Sequence, residues 1–140
     1  MKEAILAPAD TKDPLVAARD LLPDLRERAD EIEEARRIPA DLSRRFAACG
    51  FYRLCVPEAY GGLELPPART MQVVETLARG DGASAWVVFI AATSGTVLSM
   101  LPADSAREIF ATDQTMLAGV FAPRGKAIPE RDGFRVEGQW

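Results

Sequence analysis

Residues 85–101 carry no charged side chain over seventeen consecutive positions. A helix that is apolar on every side must be surrounded by protein or by lipid. A membrane-spanning helix needs about 20 mostly apolar residues, whereas this stretch is shorter, holds several hydroxyl groups and is stopped by Pro102. We therefore expect no membrane partner but a buried helix that ends near Leu101 and is shielded on every side. It would lie inside a small bundle or against protein beyond this chain.

The composition is that of an ordinary globular protein, and it excludes several kinds of chemistry. Of the 140 residues, 48% are hydrophobic and 27% are charged, which fits one folded domain. The net charge of −4 argues against a nucleic acid partner. The chain has no histidine, so the usual zinc sites and any Cys-His or Ser-His pair are absent from it, and no metal is expected.

The two cysteines and the first residues indicate the compartment. Cys49 and Cys55 are expected to be reduced and partly buried. The first ten residues lack the apolar core of a secretory signal. The predicted location is the cytoplasm.

A lead-in over residues 1–13 is predicted to precede a helical domain over residues 14–113. From Pro14 onward, apolar residues recur every three or four positions, which places them on one helical face. They are Leu15, Ala18, Leu22, Leu25, Ala29 and Ile32. Pro23 should kink this helix or mark its true start, with Asp20 as a candidate cap.

Three further helices are predicted around the uncharged one. They begin near Pro39, near Pro66 and after Pro102, and the first ends at Gly50. The inward positions of the first two are Leu42 and Phe46, then Met71, Val74 and Leu77, and the apolar positions of the last are Ala106, Ile109 and Phe110. A turn is predicted at residues 60–62.

Residues 114–140 are predicted to begin a β domain that is incomplete in this chain. Met116–Phe121 is an extended apolar run, and Asp132-Gly133 is a hairpin turn signal. Residues 134–140 alternate apolar or small with polar side chains, which predicts a strand with one buried face. A strand pair alone is marginally stable. The predicted fold class is therefore α+β and mainly α.

Three stretches, in this order, resemble the acyl-CoA dehydrogenase family of flavoproteins. Residues 50–62 read GFYRLCVPEAYGG, residues 75–86 read ETLARGDGASAW, and residues 133–140 read GFRVEGQW. Residues 50–62 are similar to the family's helix-ending glycine, apolar stretch, Val-Pro and aromatic-Gly-Gly. Residues 75–86 resemble the opening of its central helix, and residues 133–140 resemble a strand of its middle domain.

The resemblance implies an architecture and a cofactor. It implies an N-terminal helical domain of acyl-CoA dehydrogenase type followed by the first strands of a truncated β-barrel domain, with a C-terminal helical bundle beyond. Such enzymes bind FAD and an acyl-CoA between these parts and form homo-oligomers, usually tetramers. Their catalytic carboxylate lies in the bundle, so we assign no catalytic residue here and expect the chain alone to be inactive. Glu58, Glu64 and Glu75 are expected to be solvated or capping carboxylates.

The flavin contacts are expected where the family's β domain begins. By that resemblance the cofactor-binding residues are Phe121, Ala122, Pro123, Gly125 and Lys126. The common dehydrogenase pattern has Thr-Glu-Pro and then Gly-Ser near this point, so the hydroxyl that would bond the flavin is missing here. That departure weighs against ordinary acyl-CoA dehydrogenation.

Trp86 and Ser94 point to another branch of the same fold. Two-component flavin monooxygenases often place Trp at the start of the central helix, and some place His eight positions on, where this chain has Ser94. Both residues are candidate substrate-pocket residues. The main expectation is α,β-dehydrogenation of an acyl-CoA thioester. The alternatives are a monooxygenase that acts on an aromatic small molecule, using reduced FMN or FAD from a reductase, and a non-catalytic helical interaction module.

Overall fold

The chain folds into six α-helices followed by one β-hairpin in the computed structural model, which describes residues 13–120 and 122–139. The helices are α1 (Pro14–Glu27), α2 (Ala29–Ala35), α3 (Ala40–Ala48), α4 (Pro67–Ala78), α5 (Gly82–Ser94) and α6 (Ala103–Ile109). Short 3-10 turns cover Phe51–Arg53, Glu58–Tyr60 and Gly95–Met100, and the strands are β1 (Lys126–Glu130) and β2 (Gly133–Glu137). The mainly α, α+β class is confirmed. The domain boundary at residue 113 stays a prediction, and the lead-in before Asp13 lies outside the described residues.

The first helix starts at Pro14 and runs through Pro23, so Pro23 does not mark its start and Asp20 is not its cap. A kink at Pro23 stays a prediction. The cap is Asp13, whose Oδ1 accepts a hydrogen bond from the Leu15 N–H at 2.8 Å. An internal proline removes one helical hydrogen bond. Burial of apolar side chains on both sides of Pro23 offsets that loss.

The main core lies between α1, α4, α5 and the turn at residues 51–53. Its fully buried side chains include Leu25, Phe46, Leu77 and Val88. Phe46 packs against Phe51 with ring centroids 5.7 Å apart. Leu42 and Phe46 are buried as predicted, and Gly50 ends α3 in the left-handed conformation with φ 73°.

One inward prediction is wrong. Met71 is 49% exposed, while Thr70, Val73 and Val74 line the buried face of α4. Of the apolar residues of α6, Ala106 and Phe110 are buried, and Ile109 is 37% exposed. Spacing alone did not fix which of two neighbouring faces meets the core, because each helix is rotated to suit its own partners.

A tight loop over residues 53–65 joins the main core to a smaller one. The Leu63 N–H donates to the Arg53 carbonyl at 3.0 Å, and the Glu64 N–H donates to the Val56 carbonyl at 3.0 Å. Val56 then packs in a second cluster, whose other buried members are Leu98, Ala106 and Phe110. This cluster holds α6 and the 3-10 turn before it.

The uncharged segment was predicted to form one helix that ends near Leu101, and this prediction is wrong. α5 ends at Ser94 and the chain tightens into a 3-10 turn from Gly95. Gly95 lies so close to Val56 that a Cβ there would meet Val56 Cγ2 at 2.5 Å. None of the helices in the described ranges is both long and apolar enough to cross a membrane.

The β-hairpin has the predicted turn but not the predicted burial. β1 and β2 pair antiparallel, with Ala127 opposite Val136 and Pro129 opposite Phe134. These four side chains share one face. The other face carries Arg135, which pairs with Glu130 at 3.0 Å and also with Glu137.

Both strands are exposed along their whole length. The prediction of one buried face in β2 is therefore wrong within this chain, because no second layer covers the described part of the hairpin. Residues 116–120 do not join the sheet as a third strand. Trp140, predicted at the end of that strand, lies outside the described residues.

Candidate functional site

α5 is buried on one side and open on the other. Its start is fixed by Asp81, whose Oδ2 accepts a hydrogen bond from the Ser84 N–H at 2.6 Å. The buried side consists of Ser84, Ala85, Val88, Ala91 and Ala92. Within this chain α5 packs against α4 and the turn Phe51–Arg53, and Trp86 on its other side is 63% exposed. The described residues therefore do not shield the uncharged segment on every side, and the remaining expectation is that protein beyond this chain covers it.

The other side of α5 and of the 3-10 turn after it carries side chains that are half-buried or exposed, here called the α5 strip. Its members are Trp86, Phe89, Ile90, Thr93, Val97 and Met100. Three of them are exposed apolar side chains, namely Trp86 at 63%, Val97 at 48% and Met100 at 81%. Exposed apolar side chains grouped on one element are characteristic of a surface that contacts a ligand or more protein.

The most accessible part of the α5 strip is an aromatic pair. The ring centroids of Trp86 and Phe89 are 5.7 Å apart, with an interplanar angle of 38°. Phe89 is half-buried against the main core, whereas Trp86 stands out from it. Phe89 therefore supports Trp86, and the pair can pack against a planar ring system.

Ser94 is half-buried at the last position of α5, eight residues after Trp86. At a rise of about 1.5 Å per residue, the two positions lie roughly 12 Å apart along the helix. A single small ring would not touch both. The neighbouring hydroxyl of Thr93 donates to the Phe89 carbonyl at 2.7 Å, so it serves the helix backbone.

The predicted cofactor segment is exposed. Ala122, Pro123 and Gly125 lie in a stretch without regular structure, and Lys126 opens β1. The Arg124 N–H donates to the Ala122 carbonyl at 2.8 Å, which bends the segment. Phe121 lies outside the described residues. Contact of these residues with a cofactor stays a prediction.

Two of the three candidate carboxylates, those of Glu64 and Glu75, have structural partners. Glu64 Oε2 accepts a hydrogen bond from the backbone N–H of Glu58 at 2.8 Å, and Glu75 pairs with Arg79 at 2.7 Å. All three glutamates are exposed, as expected for solvated or capping groups. In the described ranges, no three Cys, Asp or Glu side chains are grouped as a metal site requires.

Sequence reasoning missed Arg53. It is a single charge inside the apolar stretch 51–56, and such a residue is rarely buried unless it is paired. Its guanidinium reaches the carbonyls of Gly61, Phe110 and Thr112. Burial lowers the pKa of Arg53, and the nearby charge of Asp113 opposes that shift.

The fold and the one-sided α5 define the chain as a helical domain that opens into a β segment. The model of the acyl-CoA dehydrogenase N-terminal domain matches residues 16–109. The chain belongs to this family, as the resemblance of its three motifs indicated.

Relatives of known activity are larger proteins. The chain is 30% identical over 132 residues to the oxygenase subunit HsaA of a flavin-dependent monooxygenase from Mycobacterium tuberculosis, covering 94% of this chain and 34% of that protein. It is 33% identical over 138 residues to indole-3-acetate monooxygenase from Pseudomonas putida, covering 96% of this chain and 35% of that protein. The chain thus spans about a third of the length of these relatives.

A solved structure has the same fold. The crystal structure of the HsaA monooxygenase from M. tuberculosis superposes with a TM-score of 0.84 at 29% identity, over 91% of this chain and 35% of that one. These relatives are monooxygenases, so they favour the monooxygenase alternative over acyl-CoA dehydrogenation, which was the main expectation from the sequence.

Proposed function

We propose that this chain is the N-terminal helical part of the oxygenase component of a two-component flavin-dependent monooxygenase that hydroxylates an aromatic small molecule. The observation that carries the proposal is its similarity to oxygenases over more than nine-tenths of its length. The exposed pair Trp86 and Phe89 supports it, because an aromatic surface on the central helix suits a planar substrate or cofactor ring.

The residues present fit a flavin in part. The α5 strip offers an apolar surface for a ring system, and Ala122, Pro123 and Gly125 offer exposed backbone without bulky side chains. Lys126 at the start of β1 adds a positive charge near that backbone, which suits a phosphate-bearing cofactor. Reduced FAD or FMN, when bound, supplies the electrons that activate dioxygen. This chain's residues would orient the rings and exclude water from one side.

Acyl-CoA dehydrogenation is the less well supported reaction. It needs a carboxylate base held away from water, whereas Glu58, Glu64 and Glu75 are all exposed, and the carboxylates of Glu64 and Glu75 are engaged in structural contacts. The cofactor segment also lacks the hydroxyl of the common dehydrogenase pattern. The absence of histidine means that an imidazole acid or base, if the reaction uses one, must come from outside these residues.

The experiment uses the full-length gene product, mixed anaerobically with chemically reduced FAD or FMN and then with oxygen and a panel of phenols and indoles. We expect a hydroxylated product by mass spectrometry. Trp86→Ala should lower the yield at least about tenfold, equivalent to about 1.4 kcal/mol. The matched control Met71→Ala truncates an exposed apolar side chain on α4, outside the α5 strip, and should change the yield little.

Two outcomes would contradict the proposal. Formation of an enoyl thioester from acyl-CoA, with a dye as electron acceptor and no hydroxylation, would restore the dehydrogenase interpretation. Failure to bind flavin in either redox state would favour the non-catalytic interaction module.

A further inference from the structure

Arg53 connects three separate stretches of the chain. It ends the 3-10 turn Phe51–Arg53 and is half-buried. Its Nη1 donates to the Gly61 carbonyl at 3.2 Å, and its Nη2 donates to the Phe110 carbonyl at 3.1 Å and to the Thr112 carbonyl. The guanidinium carbon also lies 5.1 Å from the centroid of the Phe110 ring.

These contacts close the C-terminal end of α6. The last carbonyls of a helix have no partner within the helix and carry partial negative charge. A guanidinium satisfies them with charge-assisted hydrogen bonds from a rigid planar fork. The backbone at Arg53 is also held in place, because the Arg53 carbonyl accepts hydrogen bonds from the Val56 and Leu63 N–H groups.

Beyond Thr112, few described residues pack against the helical domain. Leu117 packs against the second cluster, and all the described residues after it are exposed. The stretch from Thr112 to Val120, which leads to the candidate cofactor residues, is therefore held mainly at Arg53 and at Leu117.

We propose that Arg53 is a positioning residue that fixes where the chain leaves the helical domain and thereby where Gly119 and Val120, just before the candidate cofactor residues, lie. The consequence for cofactor binding rests on the proposed function, but the positioning itself does not. A positioning measurement without flavin can therefore fail or succeed independently of the monooxygenase assignment.

The test uses pulsed electron–electron double resonance to measure the distance between two nitroxide labels in the 140-residue chain. One label replaces Ala78, which is exposed on α4, and the other replaces Gly119, where an added Cβ meets nothing within 4 Å. Cys49 and Cys55 are replaced by serine in all samples. The parent should give one narrow distance distribution, and Arg53→Met should widen it at least about twofold.

Further variants separate positioning from folding. Arg53→Lys keeps the positive charge but loses the planar guanidinium. Phe110→Leu removes the aromatic ring but keeps the backbone carbonyl that Arg53 contacts. Both variants should widen the distance distribution less than Arg53→Met does. The control Arg69→Met breaks a half-exposed ion pair to Asp13 and should leave it narrow. Hydrogen exchange of α1, α4 and α5 should stay within about twofold of the parent in every variant.

The proposal is overturned if Arg53→Met leaves the distribution narrow. It is also overturned if all helices exchange faster to the same extent as α6, because Arg53 would then only support the overall fold. If Arg53→Met does not fold, Arg53→Lys and Phe110→Leu decide by the same criteria.

Discussion

The helical region, residues 14–110, and the hairpin, residues 126–137, use apolar residues in opposite ways. Phe46 is completely buried in the helical region, whereas Phe134 is 69% exposed in the hairpin. Phe46 packs against Phe51 and Tyr52 within the main core, but a two-stranded sheet has no second layer of its own. The comparison teaches that the helical region contains its own core, whereas the described part of the hairpin leaves its apolar face uncovered.

The largest expected difference comes from truncating the two phenylalanines. Phe46→Ala should lower the free energy of unfolding by about 3–5 kcal/mol, because it leaves a cavity in a packed core. Phe134→Ala should change it by no more than about 0.5 kcal/mol. Urea denaturation of the 140-residue chain measures both, and equal effects would show that the hairpin is packed in solution.

The next largest difference in stability is expected between substitutions at Gly62 and at Gly119. A Cβ on Gly62 would lie 1.9 Å from the Val56 carbonyl oxygen, whereas a Cβ on Gly119 would meet nothing within 4 Å. Gly62→Ala should therefore cost about 3 kcal/mol, because the loop backbone must move, and Gly119→Ala should be nearly neutral. Thermal melts test this, and an unchanged melting temperature for Gly62→Ala would contradict the packing of the 53–65 loop.

A smaller effect is expected at two glycines with positive φ. Gly61 has φ 77° and Gly133 has φ 155°, and both values disfavour side chains with a Cβ. Gly61→Val should destabilise the whole fold by about 1–2 kcal/mol. Gly133→Val should disturb only the hairpin, which amide exchange would detect while the global melt stays the same. A lowered melt for both would mean that the two regions unfold together.

The smallest effect is the acid sensitivity of the helical region. Hydrogen bonding to Arg28 lowers the pKa of Asp41 from its ordinary value of 3.8 to about 2, and it also lowers the pKa of Glu31. Carboxylates with a lowered folded-state pKa stabilise the fold above their ordinary pKa, and this contribution is lost as pH falls from about 4.5 toward 2. Since the ion pairs reach solvent, the effect should be modest.

The measurement for this prediction is the urea midpoint between pH 7 and pH 2.5. The parent should lose more stability across that range than Arg28→Met, which retains the apolar stem without the charge. Parallel curves for the two proteins would rule out Arg28 as the source.

Local chemistry could be predicted from the sequence, while orientation could not. Gly50 ends its helix and Asp132-Gly133 marks its turn because these signals act over a few residues. The exposure of Met71 could not be foreseen, because a spacing of three or four fits two adjacent helix faces. The partners of Arg53 lie up to 59 residues away along the chain, so no local pattern could have revealed them.

The candidate site was predicted in part. The start of α5 followed from Asp81 and from the family resemblance, and it placed Trp86 on the central helix. The exposure of the Trp86 side of that helix was not predicted, because an uncharged sequence has no polar face that would indicate which side meets solvent. The break at Gly95 was also missed, since it depends on the approach of Val56 from another loop.

The two faces of the hairpin differ in what it would cost to cover them. Burying the face with Arg135, Glu130 and Glu137 would remove water from three charged groups together, which is costly for ions. The opposite face carries Phe134 and Val136, whose apolar side chains gain by leaving water. A protein layer over this sheet is therefore expected on the Phe134 and Val136 side.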